Sequence, residues 1–158
     1  MGNKHAKAVV QATAGKNPKS LPSEAPSKIP KTTYIEDAMK MRPSWRISLV
    51  QTVDPWGWHL LTREELEEIR VKLCEYESKT WSEILVRGSY WNHLIECYKL
   101  CKEARDRLGD LQLDDLEQLV SLRLGAKQRV WGILDHNILH ILWWDPEHRV
   151  YPVEKQNT

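Results

Sequence analysis

The stretch from Ser121 to Pro152 constrains this chain most, because there the apolar residues change from a helical period to strand alternation. Leu119 to Leu124 reads as a strand and Gly125-Ala126-Lys127 as a turn. Gln128 to Leu134 is a second strand, Asp135-His136-Asn137 a hairpin loop, and Ile138 to Trp144 a third. Asp145-Pro146-Glu147 closes the run, since Asp before Pro starts turns. Three strands joined this tightly predict an antiparallel meander.

Upstream the period is helical. Thr62-Arg63-Glu64-Glu65 is a capping box, and Leu66, Ile69, Leu73 and Tyr76 follow at helical spacing, so a helix is predicted over 63–77. Thr80-Trp81-Ser82-Glu83 is a second box, opening a short helix that stops near Gly88. Ser89 is placed to cap a third helix running to Leu108 and ended by Gly109, and Leu113 to Leu119 adds a helical turn. Before all of these, Trp45 to Val50 favours a strand, followed by turn chemistry at Asp54-Pro55-Trp56-Gly57. One strand, two to three helices and a three-stranded antiparallel meander predict an α+β domain over 43–152 with its helices on one face.

Residues 1–42 mix Lys, Pro, Ser, Ala and Gly, with Pro18, Pro22, Pro26 and Pro30 evenly spaced. Such a composition buries too little apolar surface to offset its ordering entropy and predicts a disordered tail, with a weak helical turn or two over Tyr34 to Met41. A short C-terminal tail is expected over 153–158. The tail to Arg42 carries eight Lys/Arg against three acids, and the body from Pro43 carries fifteen against nineteen. The basic tail suits solubility first and loose contact with nucleic acid second.

The sequence holds no apolar run near the ~18 residues a membrane span needs, no signal-like apolar centre at its start, and no Ser/Thr at position 6 for myristoylation of Gly2. Three Cys without a CxxC pair suit a reducing compartment, so a cytoplasmic address without membrane association is expected. No Walker loop, dinucleotide-binding glycine fingerprint or GxSxG elbow is present, and no cofactor is expected. His93, Cys97 and Cys101 would share one face of the third helix. Three metal ligands fit that spacing, but a packed face fits better, because both Cys fall on the apolar stripe and a fourth ligand has no source. Glu83, Glu96 and Glu103 read as solvated helix charges.

Two resemblances rest on these residues. Arg123-Leu124-Gly125-Ala126-Lys127-Gln128-Arg129-Val130, then a hairpin loop and an apolar strand ending in His148-Arg149-Val150-Tyr151, resembles the C-terminal half of the RelE/ParE toxin superfamily. The order of one strand, helices and three strands is similar to that fold. The motif match covers roughly 30 residues and the topology about 110. The segment from Trp45 to Pro152 also resembles a family of uncharacterised bacterial and phage-associated proteins. That likeness lies in Glu77, Thr80-Trp81-x-Glu83-Ile84, Ala104-x-x-Arg107-Leu108 and a closing Trp143-Trp144-Asp145-Pro146-x-His148-x-Val150-Tyr151-Pro152.

The RelE/ParE resemblance implies a toxin-type protein that targets RNA, an endoribonuclease or a degenerate relative, with an antitoxin as partner. Cutting RNA at a 2′-hydroxyl needs a base, a cation for the phosphorane charge and an acid for the leaving oxygen. The resemblance implies Arg123, Lys127, Arg129 and Arg149 for charge, and His148 and Tyr151 for protons. The structural alternative pairs the arginines with acids on the sheet surface and gives His148 a place in the turn begun by Asp145. Trp143 and Trp144 are adjacent in a strand and point to opposite faces. One packs on helices. The other is covered by the Trp56-Gly57-Trp58 loop, or else stacks a base or docks an antitoxin or host protein. A non-catalytic interaction module built on that Trp-rich sheet is the alternative function.

Overall fold

A computed structural model of the chain describes residues 35–86 and 92–153. Most of the expected tail and the span around Gly88 and Ser89 lie outside the described residues. Helix α1 spans Ile35–Met39. Its Ala38 is only 3 % exposed, so the packed body reaches back beyond Pro43.

Strand β1 is Ser44–Arg46, shorter than the expected run to Val50. Helix α2, Arg63–Tyr76, begins where the capping box required: Thr62 Oγ1 accepts from Glu65 N at 3.1 Å, and Glu65 Oε2 accepts from Thr62 N at 2.9 Å. The second box opens α3, Trp81–Ile84, in the same reciprocal way. Trp81 then ties α3 to the sheet. Its indole N–H donates to the Asn137 carbonyl at 2.9 Å, and its ring meets Trp45 edge-on at 6.0 Å.

The expected third helix is replaced by three elements. Asn92–Glu96 is strand β2, Cys97–Lys99 is a 3₁₀ turn, and only Lys102–Asp110 is helix α4. The His93-Leu94-Ile95-Glu96 run fits both periods, and long-range partners decide between them. Asn92 Nδ2 donates to Tyr76 Oη and to the Ile84 carbonyl, and β2 pairs along its whole length with β3. Cys101 is the N-cap of α4, its Sγ accepting from Ala104 N at 3.4 Å. His93, Cys97 and Cys101 therefore share no helix face. The segment from Leu113 adds no α-helix, because β3 starts at Gln118.

Strands β3 (Gln118–Arg123), β4 (Arg129–Asp135) and β5 (Ile138–Asp145) follow the expected order with tight antiparallel pairing. They form the middle of a larger sheet. Among the described residues it is five-stranded and mixed, ordered β1-β5-β4-β3-β2, with β1 parallel to β5. A bulge lies beside Gly132, where an added Cβ would stand 2.7 Å from the His140 carbonyl oxygen.

Both sheet faces are covered, which corrects the expectation of helices on one side. One core joins Ile69 and Tyr76 of α2 and Trp81 and Ile84 of α3 to Val120, Val130, Leu139 and Trp144. The other joins Ala104 and Leu108 of α4 to Leu119, Trp131, Leu142 and Trp143. Two successive Trp on β5 thus anchor two separate cores, as alternation along a strand dictates.

Candidate functional site

The face that carries Leu119 and Trp131 turns polar at one end. β2 contributes His93, β3 contributes Ser121 and Arg123, and β4 contributes Arg129. Pairing sets His93 opposite Ser121 and Arg123 opposite Arg129, so alternation brings all four side chains to the same face. Helix α4 covers the apolar end of this face. The polar end is roofed by the chain that follows β5.

Asp145 shapes that roof. Its carboxylate is fully buried: Oδ1 accepts from Arg149 N at 2.9 Å, and Oδ2 accepts from Val150 N at 3.0 Å and from Trp131 Nε1 at 3.4 Å. This Asx-type capture folds Pro146 to Arg149 into a turn in which His148 takes a left-handed backbone, φ 57°. Non-glycine residues seldom adopt that conformation, although His tolerates it better than most. Val150 is buried against α4, and its carbonyl accepts from Cys101 N at 2.8 Å. His148 and Tyr151 flank that anchor.

The result is a cavity of about 240 Å³. Arg123, Arg129, His93, His148, Ser121 and Tyr151 form its polar wall, and Ile95 and Val153 its apolar rim. Of the six residues expected to act together, Arg123, Arg129, His148 and Tyr151 meet here. Lys127 and Arg149 are not among the lining residues. Lys127 Nζ pairs with Glu147 Oε2 at 3.1 Å on the surface, and Arg149 is an exposed residue of the roof turn.

Backbone carbonyls hold both arginines. Arg129 is 7 % exposed, and its Nη1 donates to the Gly125, Ala126 and Gln128 carbonyls. Arg123 Nε donates to the same Gly125 carbonyl at 2.9 Å. The β3–β4 loop therefore orients both guanidinium groups.

Arginine charge acts on the titratable groups of the cavity. Burial first, then repulsion from Arg123, lowers the Arg129 pKa against a smaller opposing pull from Asp145. Burial and then Arg129 hold His93 below the ordinary imidazole range. Burial and Arg129 likewise depress His148, with Asp145 opposing and Arg123 and His93 adding to the effect. Both imidazoles are thereby biased toward the neutral form, while the guanidinium groups stay charged. Among the described residues no carboxylate lines the cavity. Such a pocket attracts an anion, and an anion within it promotes protonation of the imidazoles.

Trp143 and Trp144 are each 1 % exposed. Trp56 covers Trp143 with ring centroids 5.4 Å apart, and its carbonyl accepts from Trp144 N. The cover comes from the loop the sequence named, and neither ring is presented to a partner.

His93 and Ser121 were not expected in the site. His93 looked helical, and only the pairing of β2 with β3 reveals its direction. Burial pushes the Cys97 thiol up to about 11, away from the thiolate that binds metals or attacks carbon. Among the described residues no group of three or more His, Cys, Asp or Glu is arranged to hold a metal ion. No described helix is long and apolar enough to cross a membrane.

No family model, curated protein or solved structure matches the chain.

Proposed function

We propose that the protein is a RelE/ParE-like, toxin-type factor that engages the phosphodiester backbone of RNA in the cavity between β2, β3, β4 and the turn after β5. One observation supports the reading: two arginines and two imidazoles held below the ordinary range line one cavity. Guanidinium groups bind phosphate oxygens through paired N–H donors, and imidazoles move protons near neutral pH. The cavity lies below the ~300–1,000 Å³ of ordinary cofactor and drug pockets. Its size therefore suits a phosphate with part of its sugar.

The acidic balance of the body limits the footprint on nucleic acid to few phosphates. The basic segment before Pro43 adds longer-range attraction. A single-stranded RNA bound mainly through one or two phosphates loses affinity with a shallow salt slope, about −0.7 per phosphate. The alternative, a docking module using the exposed face of a Trp-rich sheet, lacks its surface here because both rings are interior.

The test pairs purified full chain with a short fluorescent single-stranded RNA, and inducible expression with growth. Binding that weakens at least tenfold in Arg129→Ala is expected. So is growth arrest that disappears in the Arg129→Ala, His148→Ala double variant while the protein stays folded. RNA binding without arrest would identify a degenerate relative. Neither binding nor arrest would sink the reading.

A further inference from the structure

Arg129 is 7 % exposed, and its hydrogen bonds to the Gly125, Ala126 and Gln128 carbonyls all leave from one nitrogen, Nη1. Nε and Nη2, whose N–H bonds run side by side, make no hydrogen bond among the described residues. Neither belongs to the polar atoms that are sealed from solvent without a partner. Both therefore reach open space, and the open space that Arg129 lines is the cavity.

Arg70 shows on the surface what such a fork takes. It turns the same two nitrogens on a carboxylate, Nε donating to Glu67 Oε2 and Nη2 to Glu67 Oε1. Asp145 stands opposite Arg129 across β4 and β5, but its oxygens accept instead from Arg149 N, Val150 N and Trp131 Nε1. The fork of Arg129 thus sits nine-tenths buried, held in place through Nη1, with two parallel donors turned to the cavity.

We propose that this fork receives the terminal phosphate of an RNA strand, a phosphomonoester, in preference to the phosphodiesters within the strand. The proposal rests on the reading that the cavity takes RNA phosphate, and it narrows that reading to the strand end.

Donor count and charge both favour the end. A phosphomonoester carries three terminal oxygens and a charge of about −1.5 to −2 near pH 7. A diester has one oxygen fewer and a single charge. Two oxygens match the fork of Arg129. The third falls to the rest of the polar wall, where Ser121 and Tyr151 bring hydroxyls and His93 and His148 bring ring nitrogens. Cross-strand pairing also sets the Arg123 cation beside Arg129, and a dianion offsets two such charges better than a monoanion does. Finally, a strand end needs one way out for its chain and a diester two. A cavity of about 240 Å³ under the turn after β5 favours the ligand with one.

The experiment uses the full chain and a short single-stranded RNA, labelled internally so that both ends are free. The strand is prepared with hydroxyls at both ends, with a 5′-phosphate, with a 3′-phosphate, and with a 2′,3′-cyclic phosphate, which is a diester. Fluorescence anisotropy at constant ionic strength reads the affinities. A monoester at the 5′ or the 3′ end is expected to tighten binding about tenfold or more over the hydroxyl and cyclic forms, as a further hydrogen bond to a charged group does. Arg129→Lys keeps the charge without the fork and is expected to bind every form within about twofold. Near-UV circular dichroism of the buried Trp residues checks that this variant folds.

A competition needs no variant at all. Inorganic phosphate is expected to displace the phosphorylated strand from the wild type, and dimethyl phosphate at the same concentration is not. Equal affinity of the wild type for all forms overturns the proposal. So does a preference that Arg129→Lys retains, or displacement by dimethyl phosphate as effective as by inorganic phosphate. In each of these cases Arg129-dependent binding of the hydroxyl-ended strand leaves the RNA-binding reading standing. Failure to bind RNA in any form removes that reading itself.

Discussion

Arg123 on β3 and Arg129 on β4 are direct cross-strand partners, and their side chains converge on one loop carbonyl, that of Gly125. Like charges directly opposite each other destabilise a sheet unless something compensates. Here backbone carbonyls of the β3–β4 loop do so in part. An anion bound beside the two guanidinium groups is expected to offset their repulsion further.

The pair therefore predicts a stabilising effect of small anions. Inorganic phosphate is expected to raise the midpoint of thermal unfolding, by an amount that grows with its concentration as binding to the native state requires. Arg129→Met is expected to abolish that increment. Differential scanning calorimetry across a phosphate series at constant ionic strength measures it, and an unchanged increment in the variant would place the anion elsewhere.

Asp145→Ala is expected to cost about 1.5–3 kcal/mol, the usual worth of hydrogen bonds to a charged group. The lost bonds are those from Arg149 N, Val150 N and Trp131 Nε1. Urea unfolding gives the free energy. Because the same carboxylate shapes the turn holding His148, RNA binding is expected to fall alongside stability, whereas a distant core variant of equal cost leaves binding intact.

Stability is expected to fall on mild acidification. His93, His140 and His148 are all held below the ordinary imidazole value by burial, so the unfolded chain binds protons more readily than the folded one. The loss starts as pH drops through the unfolded value near 6.5 and levels off below the folded values. His140 is a direct contributor: it is 8 % exposed, its Nε2 makes no hydrogen bond among the described residues, and burial and then Arg46 outweigh the opposing pull of Asp135, 3.9 Å away. Melting curves between pH 5 and 8, with and without His140→Gln, read this directly. A flat profile in the wild type contradicts it.

Trp143→Ala and Trp144→Ala are each expected to destabilise by about 3–5 kcal/mol, as removal of large buried rings does. They act on different cores, so their effects are separable. Trp143→Ala strips the partner of Trp56, and Trp144→Ala opens the core under α2 and α3. Chemical denaturation measures both. A variant that keeps wild-type stability and loses only a binding partner would restore the interaction-surface reading.

Gly132→Ala is expected to cost about 1–3 kcal/mol, the usual range for overpacking. Its Cβ would meet the His140 carbonyl at 2.7 Å and Leu139 at 2.9 Å, so β4 and β5 must move apart. Equilibrium unfolding tests this, and a neutral effect would mean the bulge relaxes freely.

The amino-acid sequence by itself determined what neighbouring residues settle among themselves. Thr62 with Glu65 and Thr80 with Glu83 start helices wherever the chain runs, and the alternation from Leu119 to Trp144 with two tight turns makes sequential antiparallel strands. The inward course of Trp143 and Trp144 also follows from strand geometry.

Only the tertiary structure decided the rest. Asn92 to Glu96 suits helix or strand locally, and pairing with β3 together with the Tyr76–Asn92 bond made it β2. That pairing carried His93 out of an imagined helix face and into the cavity with Arg123 and Arg129. The burial of Asp145 beneath Trp131 then bent the chain so that His148 joined them, while Lys127 took Glu147 at the surface. Local patterns fix elements because their interactions lie within a few residues. A site assembled from β2, β3, β4 and a turn after β5 depends on register and on buried long-range hydrogen bonds, which no short window of sequence contains.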